Sequence, residues 1–142
     1  MLVLMEGKIL GIDYGSKRVG VAISDESQKF AFPKTILTNN DTLLEKIAEI
    51  AEHEGVVSFV IGESDNPSGG VNAIMRRISF FKRALEVRTG LPVYEVSEAY
   101  SSAEARRALE TKQKSRKEKD EHVDAGAAAI ILQTFIDTKK GV

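Results

Sequence analysis

Apolar positions change their spacing several times along the chain. Lys8 to Ile12 (KILGI) is a short apolar run of the kind buried on both faces of a sheet. Asp13-Tyr14-Gly15-Ser16 reads as a turn, and Arg18 to Ser24 (RVGVAIS) as a second strand that closes a hairpin. Phe30 to Thr38 is expected as a third strand, with Pro33 pushing it to a sheet edge. From Thr42 the spacing becomes helical. Thr42 and Glu45 form a capping box ahead of Leu43, Leu44, Ile47, Ile50 and Ala51, and Gly55 ends the helix. Val56 to Ile61 is a β-rich run, and residues 62–70 (GESDNPSGG) read as a loop. Asn72 is placed to cap a helix with Ile74, Ile78, Phe81 and Leu85 on one face, stopped by Gly90 and Pro92. Val93 to Val96 is a fifth strand. Ser101 and Glu104 open a short helix through Leu109. Glu121 to Asp137 is a last helix, apolar on most sides around Ala127, Ile130, Ile131 and Phe135 and therefore well buried.

The order βββαβαβαα predicts an α/β domain with a mixed five-stranded sheet and helices on both faces, the arrangement of the ribonuclease H-like fold. With 142 residues and no repeat or linker, residues 1–142 make a single domain. Twenty basic residues stand against twenty-one acidic ones, which excludes a uniformly basic nucleic-acid binder but not a local basic patch. The absence of cysteine removes disulfide scaffolds, thiolate metal sites and cysteine nucleophiles, and two histidines are too few for a histidine-rich metal site. The longest apolar stretch, Ala125 to Leu132, is too short to span a bilayer, and the first five residues have no basic flank for export. The expected setting is the cytoplasm, with no membrane partner.

Three carboxylates hold informative places. Asp13 comes directly after the first strand, Glu98 directly after the fifth, and Asp124 near the start of the last helix. If strands one, four and five are neighbours, Asp13 and Glu98 face one crevice and the helix delivers Asp124 from the side. Three convergent carboxylates without histidine or cysteine suit Mg²⁺ or Mn²⁺, and two such ions support phosphodiester cleavage. Taken singly, Asp13 reads more often as an ordinary turn aspartate than as a functional one. Glu98 and Asp124 read as acids favoured near a helix start. Gly11, Gly15 and Gly20 are spaced for close backbone approach, and Ser16, Lys17 and Arg18 stand where a phosphate could be held. No helix follows that turn, so it is not a dinucleotide fingerprint. The hairpin also resembles the phosphate hairpin of the actin and sugar-kinase superfamily, but those enzymes close two domains over a nucleotide and this chain has room for one.

Arg106 to Lys119 carries seven basic residues, among them Lys112, Lys114, Arg116, Lys117 and Lys119, against two acids. A solvated loop of that charge is suited to holding a phosphate backbone. His53 belongs to the end of the first helix, where a cation suits the dipole. His122, two residues before Asp124, falls on a different helix face.

These motifs resemble one family across Ile9 to Asp137. GIDYGSKRVGVAISD (Gly11 to Asp25) is close to the opening motif, and VDAGAAAIILQTFID (Val123 to Asp137) to the closing motif, of the YqgF family of Holliday junction resolvases, also described as pre-16S rRNA nucleases. The resemblance implies a ribonuclease H-like, divalent-metal-dependent endonuclease with Asp13, Glu98 and Asp124 as metal-binding catalytic acids. It implies precursor rRNA or branched DNA as substrate, ribosomal particles as partners, and a monomer or homodimer. The family's Asp-Glu-Arg around the central acid is Ser97-Glu98-Ala99 here, and Ser64 stands where the family has proline. A junction resolvase and a non-catalytic nucleic-acid-binding factor of the same fold are the competing readings.

Overall fold

Lys8–Tyr14 forms β1, whose side chains beyond Lys8 are buried on both faces because both faces of the sheet are covered. The computed structural model describes residues 6–63, 71–96 and 120–140, with the side chains of 63, 71–74, 120–124 and 139–140 outside that description. The elements that follow are β2 (Arg18–Ser24), β3 (Ala31–Thr38), α1 (Leu43–Glu54), β4 (Val56–Glu63), α2 (Val71–Thr89), β5 (Val93–Glu95) and α3 (Asp120–Lys140). The strand order is β3-β2-β1-β4-β5. β1 pairs antiparallel with β2 and parallel with β4, and β4 pairs parallel with β5. The mixed five-stranded sheet and the edge position of β3 are as the sequence predicts. The short helix expected at Ser101 to Leu109 lies outside the described residues.

The period-two alternation of the central strands sorts their side chains into two cores. Leu10, Ile12, Val21, Phe59 and Ile61 pack under α1 and α2, against Ile47, Ala51, Ile78, Phe81 and Leu85. Ile9, Ala22 and Val60 pack on the other face under Ala128, Leu132 and Ile136 of α3. The deepest residues of α3 are thus Ala128, Leu132 and Ile136, whereas Ala127, Ile130 and Phe135 are half-buried.

Several local expectations are corrected. Asp13 and Tyr14 are the last two residues of β1 rather than a turn, and Gly62 and Glu63 extend β4 rather than opening a loop. Parallel pairing of β1 with β4 runs through Asp13↔Gly62 and Tyr14↔Glu63, so each strand prolongs the other. Residues 64–70 of the expected loop are outside the description. α2 begins at Val71, which puts Asn72 inside the helix rather than at its cap. The capping box at Thr42 does not form. Thr42 has helical φ/ψ, and its hydroxyl donates to Asn40 Oδ1 at 2.6 Å, so Asn40 organises the turn into α1. Gly55, at φ 73°, ends α1 as expected.

The turn between β2 and β3 is built on Asp25. Its carboxylate accepts the Ser27 hydroxyl and the backbone N–H groups of Lys29 at 2.8 Å and Phe30 at 2.9 Å. These bonds, the Ser27 hydroxyl first, hold the Asp25 carboxyl far below the ordinary carboxylate range. They also secure Gln28 in the left-handed region at φ 58°. A carboxyl with a depressed folded-state pKa stabilises the fold above its unfolded value and ceases to as pH falls toward its folded value. Asp25→Ala is therefore expected to lower the melting temperature near neutral pH. The gap from wild type should shrink as pH drops below about 3.8. Thermal melts across that range check it, and a gap that does not depend on pH would contradict it.

Candidate active site

The site is built at the carboxyl ends of β1 and β4. Asp13 is 5% exposed, a charged side chain buried at the end of a central strand. Side-chain alternation puts it on the face of Ile9 and Gly11, the face that α3 covers. Its partners in register on both neighbouring strands are glycines, Gly20 on β2 and Gly62 on β4. Cross-strand partners share a face, so this level of the sheet carries no side chain on either side of the Asp13 carboxylate. Gly11 and Gly20 are among the close-approach positions expected from the sequence, whereas Gly62, expected in a loop, is not. A glycine inside an otherwise β-rich run was the available signal.

Those glycines let α3 sit close. A Cβ added at Gly11 would lie 2.7 Å from Leu132 Cβ and 3.1 Å from the Ala128 carbonyl oxygen; at Gly62 it would lie 2.9 Å from Ile131 Cδ1. The direction of α3 follows from its ends. Ala125 lines a cleft of about 510 Å³ with Arg18, Thr35 and Thr38. Gln133 reaches the opposite end of β3, accepting from the Ala31 N–H at 2.9 Å and donating to the Lys29 carbonyl at 3.1 Å. The helix therefore runs antiparallel to β1, its amino-terminal end toward Asp13. Two strand residues from Gly11 to Asp13 advance about 6.6 Å, and four helix residues from Ala128 to Asp124 about 6 Å in the same direction. The backbone of Asp124 is thereby level with that of Asp13.

Lys17 and Arg18 are exposed at the β1–β2 turn, at the same end of the sheet. Arg18 shares the face of Gly20 and Ala22, hence of Asp13, and borders the cleft beside α3. The turn is tied down by Asn39, which donates to the Gly15 and Lys17 carbonyls at 2.8 Å each. Glu98, Lys112, Lys114, Arg116, Lys117 and Lys119 lie outside the described residues, and Asp124 is described by its backbone alone. Val96, which packs into the core beneath α3, is the last described residue before Glu98. Among the described residues no group of three or more acids or histidines is assembled for a metal ion. His53 is in the last turn of α1, which leads into the start of β4, at the end of the sheet opposite Asp13.

A family profile described as RuvX, Holliday junction resolvase, matches residues 7–138. The chain belongs to the RuvX family. The resemblance drawn from Gly11–Asp25 and Val123–Asp137 is borne out, since RuvX and YqgF name the same family. This RuvX-family chain is 37% identical over 131 residues to a protein of Maridesulfovibrio salexigens provisionally named pre-16S rRNA nuclease, covering 91% of this chain and 97% of that one. A Nitrosomonas eutropha protein with the same provisional name is 36% identical over 138 residues, covering 96% and 88%. Among solved structures, RuvC of Thermus thermophilus in complex with a Holliday junction substrate superposes with a TM-score of 0.62 at 15% identity, covering 95% of this chain and 96% of that one. The Fowlpox virus resolvase with Holliday junction DNA gives 0.58 at 11% identity, covering 93% and 98%. These likenesses show the ribonuclease H-like fold. RuvX-family membership makes the chain a nuclease, a hydrolase of phosphodiester bonds acting on nucleic acid. No helix among the described residues is long and apolar enough to cross a membrane.

Proposed function

We propose that the chain is a divalent-metal-dependent endonuclease of the cytoplasm that trims the 5′ end of pre-16S rRNA on precursor ribosomal particles. The observation that carries this reading is Asp13: a carboxylate buried to 5% exposure at the carboxyl end of a central strand, flanked by glycines and level with the backbone of Asp124. A carboxylate is withdrawn from water at high cost unless a cation or hydrogen-bond donors offset it. The donor set Asp13, Glu98 and Asp124, all oxygen, fits Mg²⁺ or Mn²⁺. Bound there, such ions supply the Lewis-acid charge that phosphodiester cleavage needs. The chain's own part is to fix Asp13 on a strand that cannot tilt and to seat the helix bearing Asp124 against it. Lys17 and Arg18 hold the phosphate backbone at the turn, and residues 106–119 extend that hold.

The substrate follows the provisional names of the relatives in Maridesulfovibrio and Nitrosomonas. The likeness to RuvC with its junction favours a second reading, a junction resolvase. Two symmetric strands would then be cut by a two-fold dimer, whereas rRNA trimming asks only for a monomer. Incubating the pure protein with labelled 5′-extended 16S precursor RNA and with four-way junction DNA, in Mn²⁺ or in EDTA, separates the two. RNA cleavage in Mn²⁺ by a species sedimenting as a monomer is expected. Junction-only cleavage by a dimer selects the resolvase, and no cleavage of either substrate overturns both.

Replacing Lys112, Lys114, Arg116, Lys117 and Lys119 by alanine is expected to weaken binding to every sequence alike. The slope of log affinity against log salt should become shallower by about 0.7–0.9 for each phosphate that the variant no longer neutralises. An unchanged slope would remove this segment from the interface.

A further inference from the structure

α2 presents two unlike faces. At about 100° per residue, Ile78, Phe81 and Leu85 fall on one side, buried against the sheet, with the Phe81 ring 5.3 Å from that of Tyr14. Arg76, Phe80, Arg83 and Val87 fall on the other, within one narrow stripe about 16 Å long. Phe80 is 79% exposed and Val87 80%, and both arginines are exposed. The helix carries five basic residues against one acid, Glu86, in a chain whose net charge is −1. Two of those charges are accounted for locally. Arg88 donates to both carboxylate oxygens of Glu45, at 2.8 and 3.0 Å, and Glu86 accepts the Val93 N–H at 3.3 Å. Arg76, Arg77 and Arg83 stand around an aromatic ring that projects from the described part of the fold. The helix begins at the end of the sheet where β4 runs beside Asp13, so the stripe leads away from the cleavage edge.

We propose that the Arg76–Phe80–Arg83–Val87 stripe binds an unpaired nucleic-acid strand outside the cleavage site, one base stacking on Phe80 and the flanking phosphates pairing with Arg76 and Arg83. An exposed aromatic between arginines is the combination that holds single strands without regard to sequence, the ring meeting a base face and the guanidinium groups the backbone. A second copy of the chain is a poorer occupant, because pairing two such stripes sets like charges against each other. The inference goes beyond the assignment of the metal-binding acids and does not depend on it.

Binding is measured in EDTA by fluorescence anisotropy, with a labelled oligouridylate and an abasic sugar-phosphate strand of equal length. Phe80→Leu is expected to weaken oligouridylate binding by about five-fold or more, the loss typical of one stacked base, and to leave the abasic strand unaffected. Arg76→Gln with Arg83→Gln is expected to weaken both probes and make the salt dependence shallower by about 0.7 per phosphate released. Phe80 is exposed, so an unchanged melting temperature confirms that each variant is folded. Oligouridylate binding unchanged in Phe80→Leu overturns the proposal, as does an equal loss for both probes. A wild-type dimer that Phe80→Leu dissociates without altering oligouridylate affinity would reassign the stripe to self-association. Any of these failures leaves cleavage at Asp13 untouched, and loss of Mn²⁺-dependent cleavage alone leaves the stripe untouched.

Discussion

Asp13→Asn is expected to reduce Mn²⁺-dependent cleavage by more than about 100-fold while the metal-free protein melts close to the wild-type temperature. Groups that merely orient a metal ligand already cost about 10–100-fold when removed, and Asp13 is proposed as a ligand itself. Asparagine keeps the size and shape of the side chain, which matters at 5% exposure between Gly20 and Gly62. It keeps most of the hydrogen-bonding capacity and removes a negative charge from a poorly solvated place, so the metal-free fold is expected to lose little. A purely structural aspartate behaves in the opposite way, losing stability and sparing cleavage. Melts in EDTA and in excess Mn²⁺ make the comparison complete. Ligand linkage should raise the wild-type melting temperature and raise that of the variant less. Equal shifts in the two proteins, with equal cleavage, would strip the nuclease reading of its central residue.

Gly11→Ala is expected to cost activity out of proportion to stability. The added methyl would stand 2.7 Å from Leu132 Cβ and 3.1 Å from the Ala128 carbonyl. Neither is the loose end of a side chain, so α3 itself must move. Overpacking of this kind costs about 1–3 kcal/mol. A shift of about 1 Å at a reacting centre is enough for about a 100-fold loss of rate, and Asp124 lies one helical turn from the point of contact. Gly55→Ala is the matched control. Gly55 has φ 73° and nothing within 4 Å of an added Cβ, so alanine there is strained by about 1–2 kcal/mol without displacing anything. Both variants should melt lower than wild type, and Gly11→Ala alone should lose cleavage. Parallel losses in the two would mean that the seat of α3 does not set the geometry of the site.

The strands are legible because their apolar runs are bounded by turn residues, and β2 begins and ends where its pattern does. The boundary of β1 is not. Asp13-Tyr14-Gly15-Ser16 has the composition of a turn, and only pairing with Gly62 and Glu63, some fifty residues away, draws Asp13 into the sheet. The same pairing turns Gly62 from a loop residue into part of the floor beside Asp13. At Thr42 two local hydrogen-bonding schemes compete, and the Thr42 hydroxyl turns back to Asn40 Oδ1 instead of capping the helix. Phe80 and Phe81 are adjacent, and period alone assigns Phe81 inward; what Phe80 does on the outside is visible once its exposure is known. The acids at 13 and 124 are readable from motif placement, and the structure adds that a strand and an antiparallel helix carry them to one level.

That antiparallel helix also bears on the order in which the fold is completed. β1 and its cover are separated by more than a hundred residues, as the meeting of Gly11 with Leu132 illustrates. Contacts so distant in sequence form late and slowly. During synthesis the sheet face of Ile9, Ala22 and Val60 stays uncovered until α3 emerges. A chain without α3 leaves Gly11 and Gly62 without the helix that packs on them. The sheet and its covering helix therefore complete the second core together, and the face bearing Asp13 is expected to close only when α3 docks.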